Sequence, residues 1–325
     1  MEHKFPEIRT MQQMLDEASE LPPAPAAIVG AGSEHVLHAA VAAAQAGLIE
    51  PVLFGPEARI APLLETFGVD FPVVDTPTPE AAAKEAVAAV LDERVRMLIK
   101  GDVHSDVFLR PIIRQLRRSP RISHVFVAEL ETYHKLLYIT DAVINIEPDV
   151  RAKAEILQNA VDLTWWLGNH RTRVAALSAI ETVNPAIPST LDAACLSKMG
   201  ERGQIAHAQV DGPLAFDNAI SAESARLKGI NSPVSGHADV LLVPDLVSGN
   251  ILYKDLEYLA DAAFAGVVVG ACVPVVLTSR SDPESSRMAS LALARVAEHR
   301  QQSLDPLSPE DAVTIDHPAG DHPAG

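Results

Sequence analysis

The amino-acid sequence predicts an α/β fold of two domains with mostly parallel sheets. Short runs of Ala, Val, Leu and Ile alternate with longer helix-like segments, as in parallel sheets that are covered by helices. Hydrophobic residues make up 48% of the chain and aromatic residues only 4%, a composition that suits strands buried on both faces. At 325 residues the chain is too long for one compact core, so two domains are expected.

The predicted elements follow one another in a regular order. A short amphipathic segment around Met11 and Leu15 and a Pro-rich joint precede the first strand, and Gly47 closes the helix-like stretch after it. The crossing between the two domains is placed near Pro148. The predicted strands are, in order, Ala26–Val29, PVLFG, FPVVDT, RMLIKG, HVFVAEL, AVINIEP, RVAALSA, QIAHAQV, ADVLLVP and VPVVLTS.

Charge and cysteine usage limit the classes of function. A formal net charge of −17 argues against nonspecific binding of nucleic acid and against docking on an anionic membrane, since both need a basic surface. The N-terminus lacks the apolar core of a signal peptide, and no apolar run reaches the roughly 18 residues of a membrane span. The two cysteines, Cys195 and Cys272, are isolated, which fits a reducing compartment. A soluble cytoplasmic protein is therefore expected.

The C-terminal end differs in composition from the rest of the chain. It carries a duplicated DHPAG and too little apolar material to pack. Residues 307–325 are therefore predicted to form a disordered tail.

Polar residues follow the last predicted strand, where sheets of this kind bind ligands. Ser279 and Arg280 lie in the predicted turn before a helix, whose first residues are Asp282, a proline and Glu284. Backbone donors, a hydroxyl and a guanidinium could converge there on an anion, with Arg287 helping to balance the nearby carboxylates. The alternative is that Arg280 caps a carbonyl group and that Ser279 merely fits the turn.

A second candidate block follows the strand ADVLLVP. Asp245 stands at the carboxyl end of this strand, and Ser248, Gly249 and Asn250 open the next helix. The functional interpretation makes Asp245 a polar site residue and the Ser-Gly-Asn run a loop that approaches a ligand closely. The structural interpretation is an ordinary strand–turn–helix connection with a Ser cap, and the pattern alone slightly favours it.

A third candidate block follows the strand RMLIKG, which ends at Lys100 and Gly101. Gly101 permits close backbone approach. Arg110 opens the one clearly basic stretch of this acidic chain, which continues to Arg121. This stretch could bind the phosphate groups of a ligand, and it could equally be a solvated helix face with scattered ion pairs.

Other motifs are incomplete. The histidines share no metal-ligand spacing with a cysteine or with a second histidine, so no metal site is expected. The GAG run at Gly30–Gly32 is only part of a dinucleotide fingerprint, without an acidic partner at the usual distance. Neither a P-loop nor a GxSxG elbow is present.

Three ordered runs resemble the phosphate acetyl/butyryltransferase family. They are DGPLAFDNAIS, KGINSPVSGHADVLLVPDLVSGNILYK and PVVLTSRSDPESSR, and the likeness extends from about Ala26 to Arg300. The resemblance implies two α/β domains around a central cleft, with an architecture like that of isocitrate and isopropylmalate dehydrogenases. It also implies that the C-terminal segment returns to the first domain, so that residues 1–145 and 271–306 form one domain and residues 146–270 the other.

The resemblance further implies an acyltransferase and a homodimer. Acyl-CoA and inorganic phosphate would give acyl phosphate and coenzyme A, reversibly and by direct transfer in a ternary complex. Coenzyme A is then a co-substrate, no cofactor is bound, and neither cysteine is required.

The residue roles of the family carry over to matching positions. Ser279 and Arg280 match the pair at the reacting phosphate and carbonyl groups. Arg110 matches an arginine that contacts phosphate or coenzyme A. Asp245 and the Ser-Gly-Asn run at 248–250 match a block that lines the cleft.

One position departs from the family pattern. Acetyltransferase members carry an aspartate, proposed as the base, where this chain has Ser286. The general base is therefore open among Asp282, Glu284 and Asp245. The SRSDPESSR form resembles the butyryltransferase branch and favours acyl groups longer than acetyl.

Two other functions stay open. A metal- and NAD-dependent hydroxy-acid dehydrogenase of related fold would need nicotinamide binding and metal-binding aspartates, for which the sequence offers no convincing cluster. A non-catalytic member that binds acyl-CoA or phosphate is disfavoured by the intact Ser279–Arg280 pair but favoured by Ser286.

Overall fold

The chain is an α/β protein built on one large sheet. The computed structural model describes residues 5–277 and 282–304, and the strands within them join in a single sheet. The strands are β1 (Ala24–Val29), β2 (Ile49–Gly55), β3 (Val73–Asp75), β4 (Met97–Lys100), β5 (Ser123–Glu129), β6 (Leu137–Thr140), β7 (Thr172–Leu177), β8 (Ala208–Leu214), β9 (Val240–Leu242), β10 (Ala263–Val269) and β11 (Val275–Val276). The helices are α1 (Met11–Glu20), α2 (Glu34–Gln45), α3 (Glu57–Phe67), α4 (Pro79–Leu91), α5 (Ser105–Gln115), α6 (Val150–Trp166), α7 (Pro188–Glu201), α8 (Phe216–Ile220), α9 (Ala222–Leu227), α10 (Leu246–Leu259) and α11 (Glu284–Leu304).

The sheet contains two parallel groups of strands that run in opposite directions. The order is β3-β2-β1-β4-β11-β10-β5-β6-β9-β7-β8. Neighbours pair in parallel from β3 to β11 and from β6 to β8, whereas the pairs β11–β10, β10–β5 and β5–β6 are antiparallel. The predicted mostly parallel α/β fold is confirmed. The sheets expected in two domains are continuous with each other, and the division at 145 and 271 stays a prediction.

Most predicted strands occur near their predicted positions, but the run AVINIEP is not a strand. The strand of this region is β6, which ends just before it. The carboxylate of Asp141 accepts hydrogen bonds from the backbone N–H groups of Val143 (2.8 Å) and Ile144 (3.0 Å), so these donors are not available to a neighbouring strand. The sequence pattern also fails to predict β6 and β10.

Helix α11 passes through the core with its charged side chains paired. Arg295 and Arg300 are 2% and 0% exposed. Arg295 forms an ion pair with Glu298 and donates to the carbonyl of Pro22 at 2.7 Å, while Arg300 donates to Glu17 at 2.6 Å. Buried charges are tolerated when they are paired and hydrogen-bonded. These contacts fix the position of α11, whose first turns border the candidate site.

Two backbone hydrogen bonds hold the turns after β1 and β4 together. The N–H group of Gly101 donates to the carbonyl of Val29 at 2.8 Å, and the N–H group of Asp102 donates to that of Gly30 at 2.9 Å. A Cβ atom on Gly101 would lie 2.8 Å from both carbonyl oxygens. Gly101 therefore allows the ends of the two strands to pack closely.

We expect Gly101→Ala to lower the free energy of unfolding by about 1–3 kcal/mol, because the two backbone oxygens cannot move aside without distorting β1. Urea unfolding followed by circular dichroism measures this change. Gly32→Ala is the matched control, since its Cβ atom would meet nothing closer than 3.5 Å. Equal effects of the two substitutions would contradict the close-packing role of Gly101.

A buried histidine makes the stability of the fold depend on pH. His124 is 1% exposed, and burial lowers its pKa from 6.5 to about 3. Between these two values the unfolded chain binds a proton that the folded chain does not. The contribution of His124 to the free energy of unfolding is therefore expected to fall as the pH decreases below about 6.5, by on the order of 2 kcal/mol at pH 5.

Thermal melting of the wild type and of His124→Leu, between about pH 7.5 and pH 5, tests this expectation. The variant has no imidazole to protonate, so its melting temperature should fall less with acidification than that of the wild type. Identical pH profiles would show that His124 does not cause the dependence.

Candidate active site

Five helices begin at one edge of the sheet, and three of them follow the neighbouring strands β1, β4 and β11. The strands β1, β4 and β11 are parallel neighbours, and each is followed along the chain by a helix, namely α2, α5 and α11. Since the carboxyl ends of parallel strands meet at the same edge, the N-termini of these helices gather there. Helix N-termini carry partial positive charge and free backbone N–H groups. This edge of the sheet is therefore suited to bind anions.

Cationic side chains stand at this edge although the whole chain is acidic. Lys100 ends β4 and, with Gly101 and Arg287, lines a pocket with a cavity volume of about 50 Å³. Nη1 of Arg287 donates to the carbonyl of Asp282 at 2.7 Å. Its buried Nε has no hydrogen-bond partner within residues 5–277 and 282–304. Three predicted binding residues are thus brought together.

The predicted pair Ser279 and Arg280 lies outside the described residues. Their described neighbours are Leu277, just after β11, and Asp282, just before α11. Both neighbours belong to the edge where β11 ends and α11 begins, which is also the edge of Lys100.

The two carboxylates at the start of α11 differ in exposure. Asp282 is half-buried, whereas Glu284 is exposed. The pKa of Tyr253 is raised, first by burial and then by the negative charges of Glu257 and Asp282. Asp282 is therefore close to the middle of α10 as well as to Arg287.

Arg110 lies on the exposed face of α5. Its side chain is 62% exposed and contacts Asp106, one helical turn earlier, at 3.5 Å. An exposed pair of this kind contributes little to stability, so the guanidinium can exchange its partner for a ligand. Farther along the basic stretch, Arg121 pairs with Glu155 at 2.9 Å. The basic stretch is thus divided between an exposed helix face and a structural ion pair.

The contacts of the Asp245 block are structural. The carboxylate of Asp245 accepts from the N–H group of Ser248 at 2.8 Å and so caps α10. A Cβ atom on Gly249 would lie 2.7 Å from a valine side chain that packs against it. The side-chain amide of Asn250 donates to the carbonyl of Ala142 at 3.4 Å.

This block follows β9, a strand that is not a neighbour of β11 in the sheet. Four strand pairings separate β11 from β9, which amounts to about 19 Å at the usual spacing of strands. Among the contacts of the described ranges, none joins Asp245 to Lys100 or Arg287. A role of residues 245–250 in lining the cleft stays a prediction.

The sequence pattern does not point to Asp141, which follows β6. Its side chain is 3% exposed, and its carboxylate accepts from the amide of Asn145 at 2.6 Å in addition to the backbone N–H groups of its own loop. Burial raises the pKa of Asp141, and these hydrogen bonds partly offset the rise. The only sequence signal is an aspartate at the start of an apolar run, which the apolar pattern hides.

The described residues also bear on metal binding, membrane crossing and cysteine chemistry. In the ranges 5–277 and 282–304, no three side chains of His, Cys, Asp or Glu come together as a metal-binding group. Over the same ranges, none of the helices has the length and apolar character needed to cross a membrane. Cys195 and Cys272 are both free thiols.

Comparison with known proteins shows extended similarity. The family model Phosphate acetyl/butaryl transferase matches residues 63–295. A phosphate acetyltransferase of Rhizobium meliloti is 49% identical over 276 residues, which cover 83% of this chain and 87% of the relative. A phosphate butyryltransferase of Clostridium acetobutylicum is 40% identical over 274 residues, covering 82% and 91%. Identity is higher to the protein named for acetyl transfer, so the closer likeness to the butyryltransferase branch stays a prediction.

Solved structures show the same likeness. A branched-chain phosphotransacylase from Enterococcus faecalis superimposes with a TM-score of 0.74 and 32% identity, covering 85% of this chain and 99% of that one. A 4-hydroxythreonine-4-phosphate dehydrogenase from Klebsiella pneumoniae gives a TM-score of 0.52 at 12% identity, with the same coverage. The second likeness concerns the fold alone and agrees with the expected dehydrogenase-like architecture. From the family match and the 49% identical relative, this chain belongs to the phosphate acetyl/butyryl transferase family.

Proposed function

We propose that this protein is a phosphate acyltransferase that moves a short acyl group reversibly between coenzyme A and inorganic phosphate. The observation that carries the proposal is the sheet edge where three helices begin beside Lys100 and Arg287. Both phosphate and the phosphate groups of coenzyme A are anions, which helix N-termini and guanidinium groups bind well. Relatives named phosphate acetyltransferase and phosphate butyryltransferase support the same activity.

The chemistry needs few protein groups. In the direction of acyl-CoA synthesis, the thiol of coenzyme A loses its proton and its sulfur attacks the carbonyl carbon of acyl phosphate. The bond from that carbon to the phosphate oxygen then breaks, and phosphate leaves with the electron pair. Transfer is direct in a ternary complex, so coenzyme A is a co-substrate, and neither a bound cofactor nor a cysteine nucleophile is required.

We assign the stabilisation of the anions to cations of this edge. Lys100 and Arg287 stand there in the structure, and the family resemblance adds Ser279 and Arg280. Donors aimed at a developing oxyanion and at the leaving phosphate lower the barrier to the reaction. Arg110, which is exposed on α5, is assigned to the outer phosphate groups of coenzyme A.

We assign the general base to Asp282 among the three candidate carboxylates. A base must come within hydrogen-bond reach of the proton that it removes. Asp282 is half-buried at the edge of Lys100 and Arg287, whereas Glu284 is exposed. The carboxylate of Asp245 already accepts from the N–H group of Ser248 at 2.8 Å as the cap of α10.

The other two functions receive less support. The likeness to a dehydrogenase concerns the fold alone, so a metal- and NAD-dependent hydroxy-acid dehydrogenase is not favoured. A non-catalytic protein that binds acyl-CoA or phosphate would share the anion-binding edge but would show no turnover. An assay of acyl-CoA thioester loss distinguishes such a binding protein from an enzyme.

We also propose a cytoplasmic homodimer without nucleic-acid or membrane partners. Helix α10 leaves Val247, Ile251 and Leu259 exposed at 61%, 56% and 84%. Ile146, 69% exposed, adjoins them, because its carbonyl accepts from the first N–H group of α10 at 3.0 Å. An apolar patch of this kind is typical of a protein–protein interface.

We also propose two domains, of which residues 1–145 and 271–306 form the first and residues 146–270 the second. The reversal of strand direction between the two parallel groups of strands supports this division.

Arg280→Ala is expected to lower kcat by about a hundredfold, as for the loss of one donor to the transition state. The measurement is phosphate- or arsenate-dependent loss of the thioester of acetyl-, propionyl- and butyryl-CoA. Arg94→Ala is the matched control, because Arg94 is exposed and pairs with Asp92 nearby. A near-neutral effect of Arg280→Ala would refute its role, and no turnover of any thioester by the wild type would refute the enzyme.

Asp282→Asn is expected to lower kcat by about 10²–10⁴-fold, because asparagine cannot take up the proton of the thiol. Glu284→Gln and Asp245→Asn should change kcat little, because the first carboxylate is exposed and asparagine caps a helix as well as aspartate does. A large loss of kcat in either of these two variants, with Asp282→Asn active, would move the base to that residue.

A further inference from the structure

The pocket beside Lys100 extends into the core of the protein. It lies between α2, α11 and the face of the sheet formed by β1, β2 and β4. Lys100 pairs with Val29 at the carboxyl end of β1, and Ile49 pairs with Ala24 at the other end. Val29 and Ala24 are five residues apart along β1, which corresponds to about 16 Å at the usual rise of a strand. The pocket thus runs from the anion-binding edge along the sheet.

The pocket exists because one face of α2 carries small side chains. Ala39, Ala40 and Ala43 line it and face Leu291 of α11. Ala40 and Ala43 are 2% and 0% exposed, so they are core positions at which larger apolar residues would ordinarily fill the space.

Among the described residues of the lining, polar side chains occur only at one end. His35, Lys100 and Arg287 stand at the edge where the helices begin, and the rest of the lining is apolar apart from the backbone of Gly101. A wholly apolar interior offers no partner to a water molecule or to a polar ligand. An occupant must therefore be an apolar chain with a polar head, whose carbonyl and phosphate or thioester group remains beside the cations.

We propose that this pocket receives the acyl chain of the substrate and that the alanines of α2 set its preferred length. This inference rests on the proposed acyltransferase function and names its substrate class, which is a saturated acyl group longer than acetyl. Burial of each additional methylene group stabilises the bound chain about fourfold. Butyryl has two methylene groups more than acetyl, so turnover at low substrate concentration is expected to rise from acetyl-CoA to butyryl-CoA by about fifteenfold.

The test is a chain-length series of acyl-CoA thioesters with the wild type and Ala40→Leu. Leucine at position 40 fills the pocket, so kcat/KM should fall at least about tenfold for butyryl-CoA while that for acetyl-CoA changes little. Ala42→Leu is the matched control, because this residue lies on the same helix but does not line the pocket. Melting temperatures show whether each variant is folded.

The opposite change comes from Leu291→Ala, which enlarges the pocket and should raise kcat/KM for hexanoyl-CoA relative to butyryl-CoA. If Ala40→Leu does not fold, the chain-length series with Leu291→Ala tests the proposal instead. Equal losses for all chain lengths in Ala40→Leu, or unchanged selectivity in both variants, would overturn the acyl pocket while the enzyme activity stands. A wild type without turnover of any thioester would overturn the proposed function and the pocket with it.

Discussion

The parallel pairing of β1, β4 and β11 is the constraint on which the candidate site depends. β11 has only two residues, yet its pairing with β4 brings the start of α11 to the same edge as Lys100. If β11 paired in the antiparallel sense, α11 would begin at the opposite edge, away from α2 and α5. The site is therefore assembled by the topology of the sheet rather than by any single loop.

This topology is also compatible with the anion binding that we propose for an acidic protein. The net charge of −17 acts through a mean field that salt screens over about 8 Å. Helix N-termini, Lys100 and Arg287 act at hydrogen-bond distance, where screening is small. The local arrangement therefore outweighs the global charge at this edge, and the surrounding negative field disfavours anions elsewhere on the surface.

The sequence predicted the class of the fold and the ends of several strands, because both depend on local pattern. Strands end where apolar runs end, and so Lys100 and Gly101 were placed correctly at the end of a strand. The strand β6 was missed because the apolar run AVINIEP beside it looked more strand-like, and only the hydrogen bonds of Asp141 decide between the two. The direction of β9 relative to β11 was not predictable, since it depends on three antiparallel pairings between segments that are distant in sequence. For that reason Asp245 and Asp282 looked equally close to one cleft.

Helix α11 joins the stability of the fold to the proposed chemistry. Its first turns hold Asp282 and Arg287 together, its middle places Leu291 against the pocket, and its last turns are fixed by Arg300 and Glu17. A rigid helix anchored at its far end holds its near end at a defined position, which catalysis requires of the groups that contact substrate. The alanines of α2 lower the stability of the fold, because the space that they leave unfilled reduces packing contacts. The unfilled space beside α11 therefore lowers the stability of the fold but creates a pocket of defined size. An apolar chain that binds in this pocket restores the lost packing contacts.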